Sequence, residues 1–381
     1  MLHYCYILLT ALLASLAMVP FLRKWAVSTG ALDKPNQRKV HISAIPRLGG
    51  VAIFMAILFS TLVFVELGRE MRGILAGGLI LFFTGLIDDL HGISPKRKFV
   101  GEIVACLTAM GIGDFYITQL GDLFGFGVIV LPMWLAVPFT LFALVGVLNA
   151  VNLIDGLDGL AGGISVISFS GFFILGFLDG NHLAMTVSAA ALGAILGFLR
   201  YNFYPARIFM GDGGSLVLGF LLAFTAIALT QGPGAATHPA IPLMILGLPI
   251  ADTLFVMGRR ILQGHSPFAA DMGHLHHKFL QLGLHHRRTV LLLYCVSLFC
   301  TAFSIIFRAL PASQLMASFV LVTTVSYIGL FLLQHRGGKD KASLRQMSVR
   351  PVSQRAPVPG GLSERPSLDS VPSPPKDKFA A

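Results

Sequence analysis

Eleven stretches of mostly apolar residues follow one another along the chain, at 4–22, 48–66, 71–87, 99–117, 128–148, 159–178, 183–199, 214–231, 239–257, 289–307 and 313–334. A helix needs about 20 such residues to cross the hydrocarbon core of a bilayer. Inside lipid, backbone polar groups must be satisfied within the segment or within a closed barrel. The pattern therefore predicts an all-α, polytopic integral membrane protein of about eleven transmembrane helices. Composition agrees, since 55% of the 381 residues are hydrophobic and 12% are charged, about half the charge of a soluble domain. The first stretch lacks a basic leader and is followed by Arg23 and Lys24, so it reads as a retained span rather than a secretory signal.

The pattern stops near residue 334. Residues 335–381 are rich in Pro and Ser and hold nine Lys/Arg against four Asp/Glu, the composition of a disordered basic tail. Two parts are expected: a membrane domain, 1–334, and the tail, 335–381.

Orientation follows from the basic residues. Of 28 Lys and Arg, 25 fall in the tail or in one alternate set of connections, and only Arg69, Arg72 and Arg308 fall in the other. The positive-inside rule places the basic set and the C-terminus in the cytoplasm and the N-terminus outside, a multi-pass arrangement in the inner (plasma) membrane. The net charge of +10 suits anionic lipid headgroups. No basic stretch is interleaved with aromatics, so nucleic acid is not an expected partner. Cys5, Cys106, Cys295 and Cys300 lie in apolar segments without metal spacing and read as buried free thiols.

Acids and histidines gather in the same cytoplasmic connections: Asp33, Asp88, Asp89, Asp155, Asp158, Asp212 and Asp271, with His41, His91, His265, His274, His276, His277, His285 and His286. Carriers concentrate polar groups near the bilayer midplane. Polar groups confined to one face favour an enzyme over an ion-coupled transporter. Asp88 and Asp89 are adjacent at the edge of the third span. Such a pair ionises at a cost unless a cation is near. It reads as a metal site, as one ionised acid beside a perturbed one, or as a solvated helix end paired with Lys96, Arg97 and Lys98. Asn149, Asn152, Asp155 and Asp158 occupy a segment without Lys or Arg. Such oxygen donors suit Mg²⁺ or sugar hydroxyls. Asp212 sits in a Gly-rich run before a helix start, which receives phosphate or simply caps the helix, and Phe209 nearby offers a stacking face. The cluster at His274, His276 and His277 lacks Cys neighbours and HExxH spacing, so imidazole contact with phosphate is favoured over zinc. The first loop, with Arg38, Lys39 and Arg47, reads as an anion-binding wall.

Taken in order, DKPNQRKVH and PRLGG, GLIDD, NAVNLIDGLDGLAGG, NFYPARIFMGDGGS and HLHH resemble the motifs of the polyprenyl-phosphate N-acetylhexosamine-1-phosphate transferases, a superfamily that includes the phospho-MurNAc-pentapeptide translocases. PRLGG and HLHH resemble the branch that uses UDP-GlcNAc, and the translocase signature TPTMGG is absent. The resemblance implies transfer of a sugar 1-phosphate from a UDP-N-acetylhexosamine to polyprenyl (undecaprenyl) phosphate, with release of UMP. It implies Mg²⁺, or Mn²⁺ in its place, on Asp212 and also Asp155. Asp88 and Asp89 would handle the metal or activate the lipid phosphate. Asp155 and Asp158 would belong to the nucleotide and sugar pocket. Asn202 and Phe209 would lie near the uracil, and His274, His276 and His277 near the phosphates. Asn152, Arg47 and Lys39 complete the expected substrate contacts. A 6-deoxy sugar such as UDP-FucNAc or UDP-QuiNAc is the alternative donor, and a homodimer is compatible with the sequence.

Overall fold

The computed structural model describes residues 1–33, 44–232, 235–266 and 273–329. Helix α1 (Leu2–Thr29) leads into a small antiparallel ladder of β1 (Leu32–Asp33) and β2 (Ile45–Pro46), with Asp33 opposite Ile45. Helices α2 (Gly49–Phe64), α3 (Arg69–His91) and α4 (Pro95–Gly113) follow. A hairpin of β3 (Gln119–Gly121) and β4 (Ile129–Val130) precedes α5 (Met133–Ile154), α6 (Leu160–Asp179), α7 (His182–Asn202) and α8 (Asp212–Thr230). The chain continues through α9 (Ala240–Ile245), α10 (Gly247–Leu262), α11 (Leu275–Gln281), α12 (His286–Ile306) and α13 (Ala312–Gly329).

Eight of these helices, α1, α3, α5, α6, α7, α8, α12 and α13, are long and apolar enough to cross a membrane. The chain is a polytopic helical membrane protein. Three of the eleven expected spans differ in form. Helix α2 has 16 residues, about 24 Å of rise. Helix α4 is 19 residues long but opens with Lys96, Arg97 and Lys98 and carries Glu102. The expected span 239–257 is broken at Leu246 into α9 and α10. Pro249 accounts for the break: it has no N–H for the Ile245 carbonyl, and it is tolerated only because it falls in the first turn of a new helix.

Local signals shift other boundaries. Ser94 caps α4, accepting a hydrogen bond from the Arg97 amide at 3.4 Å, with Pro95 in the first position. The helix therefore starts before its apolar run. Pro132, extended at φ −65° and ψ 152°, starts α5 late, and the chain at 128–131 is strand and connection instead of span. At its other end α5 runs on through Asn149 and Asn152, so those amides lie on a helix rather than in a loop.

Helices α7 and α8 are the most enclosed of the apolar helices. Phe198, Phe220 and Phe224 are fully buried there, and Phe224 meets Phe115 edge to face at 5.0 Å. Large apolar side chains such as Phe21, Phe142, Leu291 and Leu321 remain exposed on the outer helices, the surface a lipid environment covers. Cys5 and Cys295 are exposed on this surface, which corrects the expectation that all four thiols are buried. Cys106 and Cys300 are buried.

Candidate active site

Three backbone segments meet at one end of the bundle with no side chain between them. A Cβ on Gly50 would lie 2.2 Å from the Gly214 nitrogen, and one on Gly85 would lie 2.3 Å from the Gly213 Cα. Side-chain-free positions are what allow backbones to approach this closely. The start of α2 is tied to the chain before α8 by three backbone bonds: Phe209 N to Pro46 O at 2.7 Å, Gly49 N to Phe209 O at 2.9 Å, and Gly50 N to Met210 O at 2.7 Å. PRLGG and RIFMGDGG thus form one unit, against which the end of α3 packs.

The carboxylates divide by surroundings. Gly211 precedes α8 at φ 73° and supplies no side-chain cap. Asp89 caps the helix instead: Oδ1 accepts from Asp212 N at 2.9 Å and Oδ2 from Gly213 N at 3.0 Å. A carboxylate at a helix N-terminus is favourably placed for both hydrogen bonding and the helix dipole. Arg47 Nε lies 3.8 Å from Asp89, and Arg47 Nη1 lies 3.4 Å from Asp33. Burial alone would lower the Arg47 pKa, but Asp89, Asp33, Asp212 and Asp88 outweigh it and hold the guanidinium above its ordinary value. Asp88 accepts from Ile93 N at 2.8 Å through Oδ1. Its Oδ2 lies 3.3 Å from Lys98 Nζ, and the same ammonium pairs with Asp212 Oδ2. Burial first, then Asp212 and Asp89, pushes Asp155 up to about 7. Asp88, Asp89, Asp155 and Asp212 therefore share one field.

Asp155 ends α5, and the turn that follows is held from below. Asn202 is 3% exposed; its Oδ1 accepts from Gly159 N at 3.0 Å and its Nδ2 donates to Ile208 O at 2.9 Å. Both ends of this amide are bound to backbone, so Asn202 clamps two loops together. Asp158 Oδ2 accepts from Ala206 N at 2.9 Å, joining the same two loops. Tyr294 on α12 donates to Gly159 O at 2.5 Å. Asn152 accepts from Ser215 Oγ at 2.7 Å, across to α8. Phe209 is half-buried.

The histidine motif is anchored by a buried acid. Asp252 on α10 bonds His274 Nδ1 at 2.9 Å, accepts from Leu275 N at 2.9 Å, and accepts from Tyr327 on α13 at 3.2 Å. His276 is 1% exposed, and neither ring nitrogen has a hydrogen-bond partner among the described residues. Its ring fills the space where a Cβ on Gly156 would stand, 2.2 Å from Nε2. Burial, then His277 and His274, drives its pKa down to about 3, so the ring is neutral. His277 lies 4.2 Å from it, ring to ring, and is half-exposed. The histidines therefore adjoin the Asp155 turn.

One reading of the paired acids gives them Lys98 as a partner at a solvated helix end; the structure pairs Lys98 with Asp88, in a largely buried place, and adds Asp212 as a second partner. The signal was its place in the first turn of the helix following the paired acids. Tyr294 and Asp252 escaped assignment to the site. Lys39, with Arg38, His41 and Asp271, lies outside the described residues. Among those described, no three His, Cys, Asp or Glu side chains form a ready-made metal shell.

A helical membrane protein whose acids, lysine and histidines converge at one end of the bundle has the makings of an enzyme for phosphorylated substrates. A family model described as glycosyl transferase family 4 matches residues 71–230. A Bacillus subtilis protein named a probable undecaprenyl-phosphate N-acetylglucosaminyl 1-phosphate transferase is 34% identical over 79% of this chain and 84% of the relative. A decaprenyl-phosphate N-acetylglucosaminephosphotransferase of Mycolicibacterium smegmatis is 33% identical over 86% and 88%. An undecaprenyl-phosphate alpha-N-acetylglucosaminyl 1-phosphate transferase of Haemophilus influenzae is 35% identical over 78% and 84%. The chain belongs to glycosyl transferase family 4, the family of the polyprenyl-phosphate N-acetylhexosamine-1-phosphate transferases.

Proposed function

We propose that this protein transfers GlcNAc-1-phosphate from UDP-GlcNAc to undecaprenyl phosphate, releasing UMP. The observation that carries the reading is the convergence of Asp88, Lys98, Asp155 and Asp212 beside the anchored histidine motif. The names of the relatives support the polyprenyl-phosphate acceptor and the GlcNAc-1-phosphate group. The split of 25 basic residues against three supports a cytoplasmic site on a protein of the inner membrane.

In this reaction an oxygen of the prenyl phosphate forms a bond to the β-phosphorus of the UDP-sugar while the bond to the UMP oxygen breaks. Phosphoryl transfer rests on positioning and charge neutralisation. Asp88 is the better candidate to take a proton from the acceptor phosphate, because its Oδ2 is held only by the flexible Lys98 side chain, at 3.3 Å, whereas both Asp89 oxygens are bonded to backbone amides of α8. Arg47 and the half-exposed His277 would meet the anionic substrate, with His274 and His276 buried behind. Tyr294 and Asn202 hold the Asp155 turn in place.

The donor set fits a hard divalent cation. The four carboxylates outnumber Arg47 and Lys98, and Mg²⁺ is commonly held by one or two carboxylates with substrate phosphates and water. Asp212 and Asp155 would hold it, and Mn²⁺ would substitute. When bound, such an ion supplies charge neutralisation at the diphosphate. The test is UMP release from purified protein, with undecaprenyl phosphate and a panel of UDP-GlcNAc, UDP-FucNAc, UDP-QuiNAc and UDP-MurNAc-pentapeptide. Release requiring both lipid and UDP-GlcNAc, with UDP-GlcNAc highest in kcat/KM, is expected. Higher kcat/KM for a deoxy sugar overturns the sugar, and release without the lipid overturns the reaction.

A further inference from the structure

Lys98 occupies the position that a bound cation would need. Its ammonium sits between Asp88 Oδ2 and Asp212 Oδ2. Its side chain is only 14% exposed, so solvent does little to screen it there. An ammonium and a divalent cation on one carboxylate repel strongly at such range in a partly buried site. That repulsion disfavours joint occupancy of Asp212. Asp89 offers the ammonium no refuge, since its oxygens are bonded to Asp212 N and Gly213 N. The lysine stem is long and flexible enough to swing its charge toward an incoming anion.

We propose that Lys98 is a resident counter-ion that a divalent cation displaces from Asp212, the released ammonium passing to the donor's diphosphate. Metal and donor then bind cooperatively. Free protein holds the metal weakly because Lys98 competes for the carboxylate. With diphosphate present the ammonium has a new partner, and the competition is relieved. Reciprocity requires the metal to tighten the nucleotide by the same factor. The proposal rests on the metal-assisted reading above and assigns Lys98 as a positioning residue that exchanges charge between protein and substrate.

The test measures Mn²⁺ binding to the detergent-purified full chain, from the spin-resonance signal of free Mn²⁺, with and without UDP. Asp212→Asn defines the background, including chelation by UDP itself. In the wild type, UDP should tighten Asp212-dependent Mn²⁺ binding on the order of tenfold, within the usual range of coupling between sites. Lys98→Met and Lys98→Gln should each bind Mn²⁺ about tenfold more tightly than wild type without UDP, and the gain from UDP should shrink accordingly. Lys98→Arg, which keeps the charge, should restore weak binding. Thermal unfolding establishes that each variant is folded, and two neutral variants guard against the loss of one. If wild type shows Asp212-dependent binding and the folded neutral variants bind no more tightly, displacement is wrong and the metal reading stands. If no chain shows Asp212-dependent binding with or without UDP, both readings fall.

Discussion

Replacing Asp89 with Asn should cost the fold as well as the activity. The Asp89 side chain is only 4% exposed and accepts from two backbone amides at the start of α8, at 2.9 and 3.0 Å. An asparagine has one carbonyl oxygen, so one amide would face its NH₂ group. A buried donor left unsatisfied costs about 1–3 kcal/mol. Arg47 loses one carboxylate partner but keeps Asp33 at 3.4 Å. The cost is about 1–3 kcal/mol, enough to lower the unfolding midpoint by a few degrees. Asp88→Asn supplies the contrast. An asparagine oxygen can still accept from Ile93 N, and Lys98 keeps Asp212 as its partner, so the stability change should be smaller than that of Asp89→Asn. Its rate of UMP release should nevertheless fall on the order of 10²-fold, as on removal of one electrostatic catalytic group. The assay is thermal unfolding and UMP release in the same detergent. An Asp89→Asn protein that unfolds at the wild-type temperature, or an Asp88→Asn protein that loses more stability, would refute the division of labour between the two acids.

Other consequences are open to measurement. In a background lacking Cys5 and Cys295, Ser266→Cys should resist a membrane-impermeant thiol reagent in intact cells while Ala236→Cys reacts; the reverse pattern inverts the orientation. His276 sits near 3 when folded against an ordinary value of 6.5, so stability is full above about pH 6.5 and declines as pH falls toward 3, by at most about 1.4 kcal/mol per pH unit. His276→Gln should flatten that decline, and an unchanged acid profile of the unfolding midpoint would contradict it. Ending the chain after Gln334 should leave specific activity within a few-fold, because the residues beyond it carry no motif and cannot form a core; complete loss in stable protein would reveal a role for the tail.

The motifs marked where the site lies better than what each residue does. PRLGG, the paired acids, the Asp155 turn and the histidines were all readable, and they do meet. Asn202 and Asp158 read as residues of the substrate pocket, and the structure adds what spacing could not show: each bonds backbone between two loops. A side chain's type and spacing announce that it is needed, but only geometry shows which segments it ties together. Lys98 was readable as a partner of the paired acids, but its second partner Asp212 lies 114 residues away, beyond any local pattern. Asp252 could be flagged as an acid in an apolar run that must face protein, but not as the anchor of His274. Pro249 is the local signal for the break at Leu246, and it lies inside an apolar run long enough to read as one span.

The glycine contacts at Gly50, Gly85, Gly213 and Gly214 bear on how such a site can diversify. Where backbone lies directly on backbone, there is no side chain to exchange and no room to add one: a Cβ at Gly85 would stand 2.3 Å from the Gly213 Cα. Drift at this end of the bundle is closed to these segments and open to pieces outside the seam, notably α11. Variants that escape an inhibitor or accept a different sugar should therefore accumulate on those flanking pieces, while the glycine seam passes unaltered beneath them.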